Sequence, residues 1–600
     1  MRLATTPYLQ DWAAVPLSDA ASPLYYVIWP FRMIGQYAAA LRRSWRWMPP
    51  KHFDEEVRAG ARDRQMNKNH RAIFITAVSL ALVRSADGDM LFAQALAPFR
   101  TYDRTLHVDD DHYSAADTNP GTPGWPLKTI GRAATVAVIN NRNDLSTRVI
   151  IQPGTYRERV SLDFTRGRTD RPILFEGAMP GEVILSASDV WSGWLRDGNT
   201  PVYFHDWPFN WGVQPVPRAW PSFGALGRRR EMVFVNGNYL RQVLTRSEMA
   251  AGTFFVDETS GRIYLWPPES SDMARATIEV GIRDEVFRLR GWTNVTLRGL
   301  VFEHAASRIQ QAAVSITNSS NITVEESEFR WNNWTGLGVA TSNRITVRRS
   351  RGNNNGGHGI SGYRIRGLLL EDTETSYNNW RGAWGGLIGW DPGNKFVGVH
   401  QGVVRRHTAI GNHARGMWFD FDNEHILIEE SVFQGNRTDG IFIEANQGPF
   451  TVRASRFCGN GRWGILGAES SDVTIERVIV ANNRDAQVWI GGHPDAPRPA
   501  TNWETGQSRL LQAERWTLRD NSVVGSDPNQ LVFGTALRSN MWEVFRSSLS
   551  SDRNRWHNGA LAQPFQIAGG RRLDFAGWQT HTGQDRNSQW VAAGIPDACQ

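Results

Sequence analysis

Lysine is nearly missing from this chain, and cysteine almost so. Among 66 basic residues only Lys51, Lys68, Lys128 and Lys395 are lysine, and the other 62 are arginine. Cys458 and Cys599 are the only cysteines. They give no CxxC pair, no zinc spacing and no disulfide framework, so the expectation is a fold that stands on packing. Long apolar runs are also lacking: Ala72–Val83 holds 12 residues, where a membrane span needs about 20. Nor is there a strong charge of either sign. The net +6 is too small to name an acidic partner, and no basic run interleaved with aromatics argues for nucleic acid.

What is present describes an ordered, turn-rich protein: 40% hydrophobic residues, 56 Gly, 28 Pro and 26 Trp. Near the start, residues 66–97 combine a basic beginning, the short apolar stretch and a small-residue site at Ala95-Leu96-Ala97. That pattern resembles a secretory signal and sets the expectation of a secreted or periplasmic protein. Residues 1–100 are read as an N-terminal extension containing it.

From about residue 313 a repeat of 23 or 24 residues appears, with rungs starting at Ala313, Gly336, Gly359, Gly382, Gly416, Gly440 and Gly464. The step of 34 before Gly416 is read as one rung plus an insertion of about ten residues. Each rung carries short β-rich pieces, such as "SNITVEESEF" and "EHILIEESVF", followed by Asn332, Asn378, Asn412, Asn436, Asn460 or Asn482. Such strands cannot bury an apolar face alone, but stacked rungs can, with inward Asn side chains bonding from turn to turn. The predicted fold is all-β: a parallel β-helix, right-handed as parallel crossovers are. The predicted organisation is a cap with the first rungs over 101–188, including a cap helix at 127–138, and an inserted β-rich subdomain over 189–285. The repeats over 286–500 follow, and an irregular tail over 501–600 wraps the solenoid.

Register singles out two acids. Positions one and three of a rung are apolar and point inward, so positions two and four face outward. Position four reads Thr317, Ala340, Tyr363, Gly386, Asp420, Glu444, Ala468, with carboxylates on two adjacent rungs alone. Position two reads Ser315, Gly338, Ser361, Trp384, Trp418, Phe442, Leu466, an aromatic cluster beside them. Strands ~4.8 Å apart would hold the two carboxyls side by side, and like charges so close push one pKa upward. Retaining glycoside hydrolysis uses two carboxyls about 5–5.5 Å apart, one ionised and one protonated. Tyr363, Asp422, His413, Asn446 and, in the insertion, Trp390 and Asp391 are the further candidates for contact with a carbohydrate substrate.

"GMWFDF" and "IFIEANQGPF" resemble the β-helix β-xylosidases of glycoside hydrolase family 120 and related β-helix glycosidases. The resemblance covers roughly residues 105–470 and implies Asp420 as nucleophile and Glu444 as general acid/base, with no cofactor. Gln447 and Phe421 depart from the family's His and Trp, and Asp422 adds an acid, which puts the sugar specificity in question. Two other classes stay open. A polysaccharide lyase or epimerase would hold Ca²⁺ on Asp420, Asp422 and Glu444, with Arg415 or His413 as base; the absence of Lys between 400 and 490 weighs against it. A non-catalytic glycan-binding solenoid would bind without turnover. "GNGRWG" at 459–464 fits a dinucleotide-type pattern but falls on a rung turn, so that reading is set aside.

Overall fold

The computed structural model describes residues 101–600 apart from 164–166, 216–223, 383–392, 493–495, 593–598 and 600. The signal-like segment 66–97, Trp384, Trp390, Asp391 and Gly386 lie outside the described residues.

Short parallel strands stack from Arg104 to Trp590 as the successive coils of one solenoid. The stacking is clearest along the first inward position, where Val314, Leu337, Ile360, Asn394, Met417, Ile441, Ile465, Val488 and Phe533 pair in turn. The strands that matter below are β1 (Asn394–Arg405), β2 (Met417–Asp420), β3 (Ile441–Glu444), β4 (Trp463–Ala468) and β5 (Ala486–Gly491). The hairpin β6 (Arg498–Thr501) and β7 (Ser508–Leu511) and strand β8 (Leu531–Thr535) come after them. Each strand alternates because one face meets the shared core: Met417, Phe419, Ile441 and Ile443 are completely buried. Inward rings stack between coils, Phe396 on Phe419 at 5.1 Å and Phe433 on Phe457 at 4.9 Å.

An asparagine ladder runs inside the turns. Asn332, Asn355, Asn378, Asn412, Asn436, Asn460 and Asn483 each bond to the next at 2.8–3.1 Å. Asn355 is an additional member, and Asn483 takes the place expected of Asn482.

The pairing also moves one rung start. Ile360 pairs with Asn394, and Asn394 with Met417, so this rung begins at Gly393, not Gly382. The site demands glycine: a Cβ on Gly393 would lie 2.7 Å from the Gly416 carbonyl oxygen of the next rung. Both candidates are glycines, so composition alone does not separate them. The extra residues therefore precede the rung, and Lys395 and Val397, instead of Trp384 and Gly386, stand at positions two and four.

Helix α1 (Ile130–Arg142) packs Ile130, Ala133, Ala134 and Ala137 into the core cluster beside the first strands. Thr129 caps it, accepting from Arg132 N, and Glu158 accepts from Ile130 N and Gly131 N at 2.8 Å. Between Ser188 and Gly281 the pairing becomes largely antiparallel, with a hairpin at Asn236-Gly237 and its own apolar cluster around Trp207, Phe254 and Leu265. Beyond residue 500 the chain is not irregular. Val480 pairs with Val523 and Val523 with Trp556, so further coils continue there, interrupted by helices α2 (Ser539–Ser548) and α3 (Phe575–Thr582). Their longer turns hide the period.

Cys458 and Cys599 are joined, Cα to Cα 5.6 Å, which corrects the expectation that packing alone holds the fold. A distance of 141 residues in sequence hides a pair that the coils bring together. Among the described residues no helix is long and apolar enough to cross a membrane.

Candidate active site

Asp420 ends β2 and Glu444 ends β3. Phe419 pairs with Ile443 just before them, Val397 pairs with Asp420, and Glu444 pairs with Ala468. The two acids are thus at matching positions of neighbouring coils, ~4.8 Å apart at the backbone. Both side chains remain partly open, 18% and 17% exposed.

Each carboxylate has a cation. Lys395 Nζ lies 3.2 Å from Asp420 Oδ2 and 3.6 Å from the centre of the Trp418 ring. Arg498, from hairpin strand β6, donates to Glu444 Oε1 at 2.6 Å and approaches Glu469 at 3.5 Å. Burial first, then the negative charge of Asp420, raises the Glu444 pKa to about 7, against the opposing pull of Arg498. Glu444 is therefore a carboxyl that holds its proton near neutral pH.

Trp418 and Phe442 stack at 5.2 Å beside the acids. They are 7% and 8% exposed, so they form a floor more than an open platform. The fully buried pair Arg415–Asp439, at 2.7 Å, lies behind them, with the guanidinium 4.7 Å from both rings. Arg415 is thereby committed to Asp439 and the aromatic pair, not placed as an outward base.

Between position four and the inner ladder, the rung of Asp420 holds one residue more than the rungs on either side. Val397 and Val399 correspond to Asp420 and Asn423, and those in turn to Glu444 and Asn446. The surplus residue is accommodated at Phe421 (φ 20°) and Asp422 (φ 63°), a bulge of the kind that re-aims a side chain. Its effect corrects one expectation: Asp422 is completely buried, bonded by Gln447 Nε2 and by Trp503 N at 2.9 Å, with His400 Nε2 3.7 Å away. It does not reach a substrate, and the calcium arrangement of Asp420, Asp422 and Glu444 is not assembled. Among the described residues no three acids, His or Cys are grouped to hold a metal ion.

Asn446 is corrected likewise. It is completely buried, receiving Asn423 Nδ2 at 2.8 Å and donating to Phe419 O, as a member of a second internal ladder. Two residues after Glu444 would be the same face in a flat strand, but the chain turns there, at Ala445 (φ 51°). His413 keeps an open edge on the turn before β2, where partial enclosure of the ring and the charge of Arg437 lower its pKa. Tyr363 belongs to the outward position-four column, pairing with Val397, two coils before Asp420.

Sequence reading missed Lys395, Arg498, Glu469 and Trp503. Lys395 needed the correct rung start. Arg498 and Trp503 come from a hairpin between β5 and β8 that folds back over earlier coils: Trp503 Nε1 donates to Gly398 O at 2.8 Å and Asn502 to Glu424 at 2.8 Å. Nothing in the repeat signals that return.

The family model for a "Right handed beta helix region" matches residues 312–484. The fold is a right-handed parallel β-helix. Of solved structures, "The complex structure of XylC with xylose" is similar at 16% identity, TM-score 0.62, over 76% of this chain and 84% of that one. The Azotobacter vinelandii mannuronan C-5 epimerase AlgE6 A-module matches at 14% identity and TM-score 0.45, covering 76% and 95%. A chain titled "Glycoside hydrolase" matches at 11% and 0.44, covering 75% and 96%. At these identities the likeness is one of fold. No curated protein matches the sequence.

Proposed function

We propose that this chain is a retaining glycoside hydrolase acting on oligosaccharide or polysaccharide fragments, with β-xylosides as the first candidates. One observation carries the reading: two carboxyls on adjacent coils, of which Glu444 holds a proton to about pH 7 while Asp420 is paired with the Lys395 ammonium. Asp420 attacks the anomeric carbon, and Glu444 gives its proton to the leaving oxygen. In the second step Glu444 takes a proton from water, which displaces the sugar from Asp420. Arg498 holds one oxygen of Glu444, leaving the other to carry the proton. The similarity to a structure holding xylose supports a carbohydrate substrate. Residues 66–97 and the disulfide favour an exported protein.

The test is a panel of aryl glycosides with wild type, Asp420→Ala and Glu444→Ala. Asp420→Ala should abolish turnover. Glu444→Ala should retain slow activity that azide accelerates, with a glycosyl azide of unchanged anomeric configuration as product. Failure of azide to be incorporated in any variant sinks the double displacement.

Lys395 favours a second reading, lyase or epimerase chemistry on a uronate. It supplies, beside Asp420, the amine base that the span 400–490 lacks. Uronate polymers cleaved with a new ultraviolet-absorbing double bond, while every aryl glycoside stays intact, would select it.

A further inference from the structure

The two outward columns that carry the acids and aromatics do not stop at Glu444. At position two Trp418, Phe442, Leu466 and Trp489 pair in order. At position four Glu444 pairs with Ala468 and Ala468 with Gly491. Ala536, whose N–H donates to Ile490 O, follows one coil further on. At that end a cavity of about 420 Å³ opens, lined by Trp489, Ala536, Arg538, Gln566 and Gly569 among others. It therefore lies in the same two columns as the acid pair, two to three coils away, or ~10–14 Å at ~4.8 Å per coil.

The path between the two places is shaped. Leu466 and Ala468, 5% and 6% exposed, make an apolar floor, and Arg498 of the hairpin reaches across to Glu444 and Glu469 along one side. At the cavity the Trp489 indole is fixed, stacked on Trp463 at 5.2 Å and 5°. It crosses Gly534, where a Cβ would come within 2.6 Å of the ring. A held aromatic surface with a guanidinium, an amide and open glycine backbone is a lining suited to a sugar ring and its hydroxyls.

We infer that the cavity beside Trp489 is a distal subsite, holding a sugar of the same glycan chain about two to three residues from the bond cut between Asp420 and Glu444. The inference rests on the hydrolase reading of that pair and adds chain length to it. The ligand is a linear glycan laid along the solenoid axis. Binding energy gathered at Trp489 is then available to the reaction at the acids, as remote contacts are in general.

The experiment uses the β-1,4-linked xylo- and gluco-oligosaccharides from the dimer to the hexamer with the full chain. In wild type kcat/KM should rise about 10-fold or more from dimer to hexamer. Trp489→Ala should bring the hexamer-to-dimer ratio down towards one. Arg538→Ala, at an exposed position, should lower the same ratio, and serves if the Trp489 variant fails to fold. A flat ladder in wild type, or a ratio unmoved in both variants, overturns the inference. If no oligosaccharide is hydrolysed, calorimetric binding of the same ladders to Asp420→Asn separates the two claims. Longer chains binding more tightly, with the gain lost on adding Trp489→Ala, would keep the subsite while the hydrolase reading falls. Equal or absent binding across both ladders removes the subsite.

Discussion

Asp420 and Glu444 carry the same functional group one coil apart, and their partners divide the work between them. Lys395 stands 3.2 Å from Asp420, whereas Glu444 is enclosed and faces the Asp420 charge. An acid catalyst is competent only while protonated, so turnover of aryl glycosides should fall as pH rises through about 7, the value for Glu444. Arg498 opposes that upward shift. Arg498→Gln should therefore move the alkaline limb of the kcat profile to higher pH, and a limb that stays in place refutes the assignment. Glu444→Gln should lose about 10²–10⁴-fold in kcat with poor leaving groups and much less with dinitrophenyl glycosides, which need no proton. Asp422 serves in another way. Burial disfavours a charge on His400, but the Asp422 carboxylate, 3.7 Å from Nε2, and Glu504, 2.7 Å from Nδ1, outweigh that and raise its pKa. A histidine raised on folding contributes stability below its unfolded value, lost as pH climbs through the folded one. Asp422→Asn should therefore lower stability by about 3 kcal/mol in weak acid and by less at alkaline pH, read as the change in Tm across that range. An equal loss at both pH values means the carboxylate acts only through Trp503 and Gln447.

The elements show which parts of this arrangement were legible in sequence and which were not. Alternation in β2 and β3 was readable because Met417, Phe419, Ile441 and Ile443 obey a period of two, so the outward direction of Asp420 and Glu444 followed. The period fails wherever the chain turns. Counting on by two from Asp420 and Glu444 would put Asp422 and Asn446 on the outer face, but a bulge and a left-handed residue send them inward. The rung start slipped to Gly382 for a related reason: glycine marks both a turn and a close contact between coils. Gly382 is a turn residue at φ 67°, whereas Gly393 meets the next coil's carbonyl. The glycine column yields its own test. A Cβ on Gly440 would lie 2.6 Å from Gly464 O and 2.9 Å from Asn460 Nδ2, both in the rigid ladder region. Gly440→Ala should cost about 1–3 kcal/mol in chemical denaturation, and a neutral effect would mean that the coils can slide apart locally.

For the whole molecule the disulfide sets a constraint that no single coil supplies. In a solenoid each coil contacts its neighbours, so stability is close to a sum of local terms, and fraying begins at the ends. Cys458 lies in a middle coil, on the strand Arg456–Cys458, and Cys599 is near the end of the chain. Their bond closes a loop of 141 residues that contains β5, the hairpin of Arg498 and the cavity-lining segment around Arg538. Fraying from that end is thus resisted by a link to the coil that carries Glu444. Closing so long a loop restricts the unfolded chain and stabilises the folded one by about 2–4 kcal/mol. Cys599→Ser should lower Tm and speed proteolysis of the chain beyond residue 500, and adding reductant to wild type should reproduce both effects. Because the cavity-lining segment around Arg538 lies within the closed loop, near its Cys599 end, the same variant should also flatten the chain-length gain before it lowers kcat on aryl glycosides. Simultaneous loss of both would show that the coils melt as one unit and that the link guards the entire helix, not its last turns.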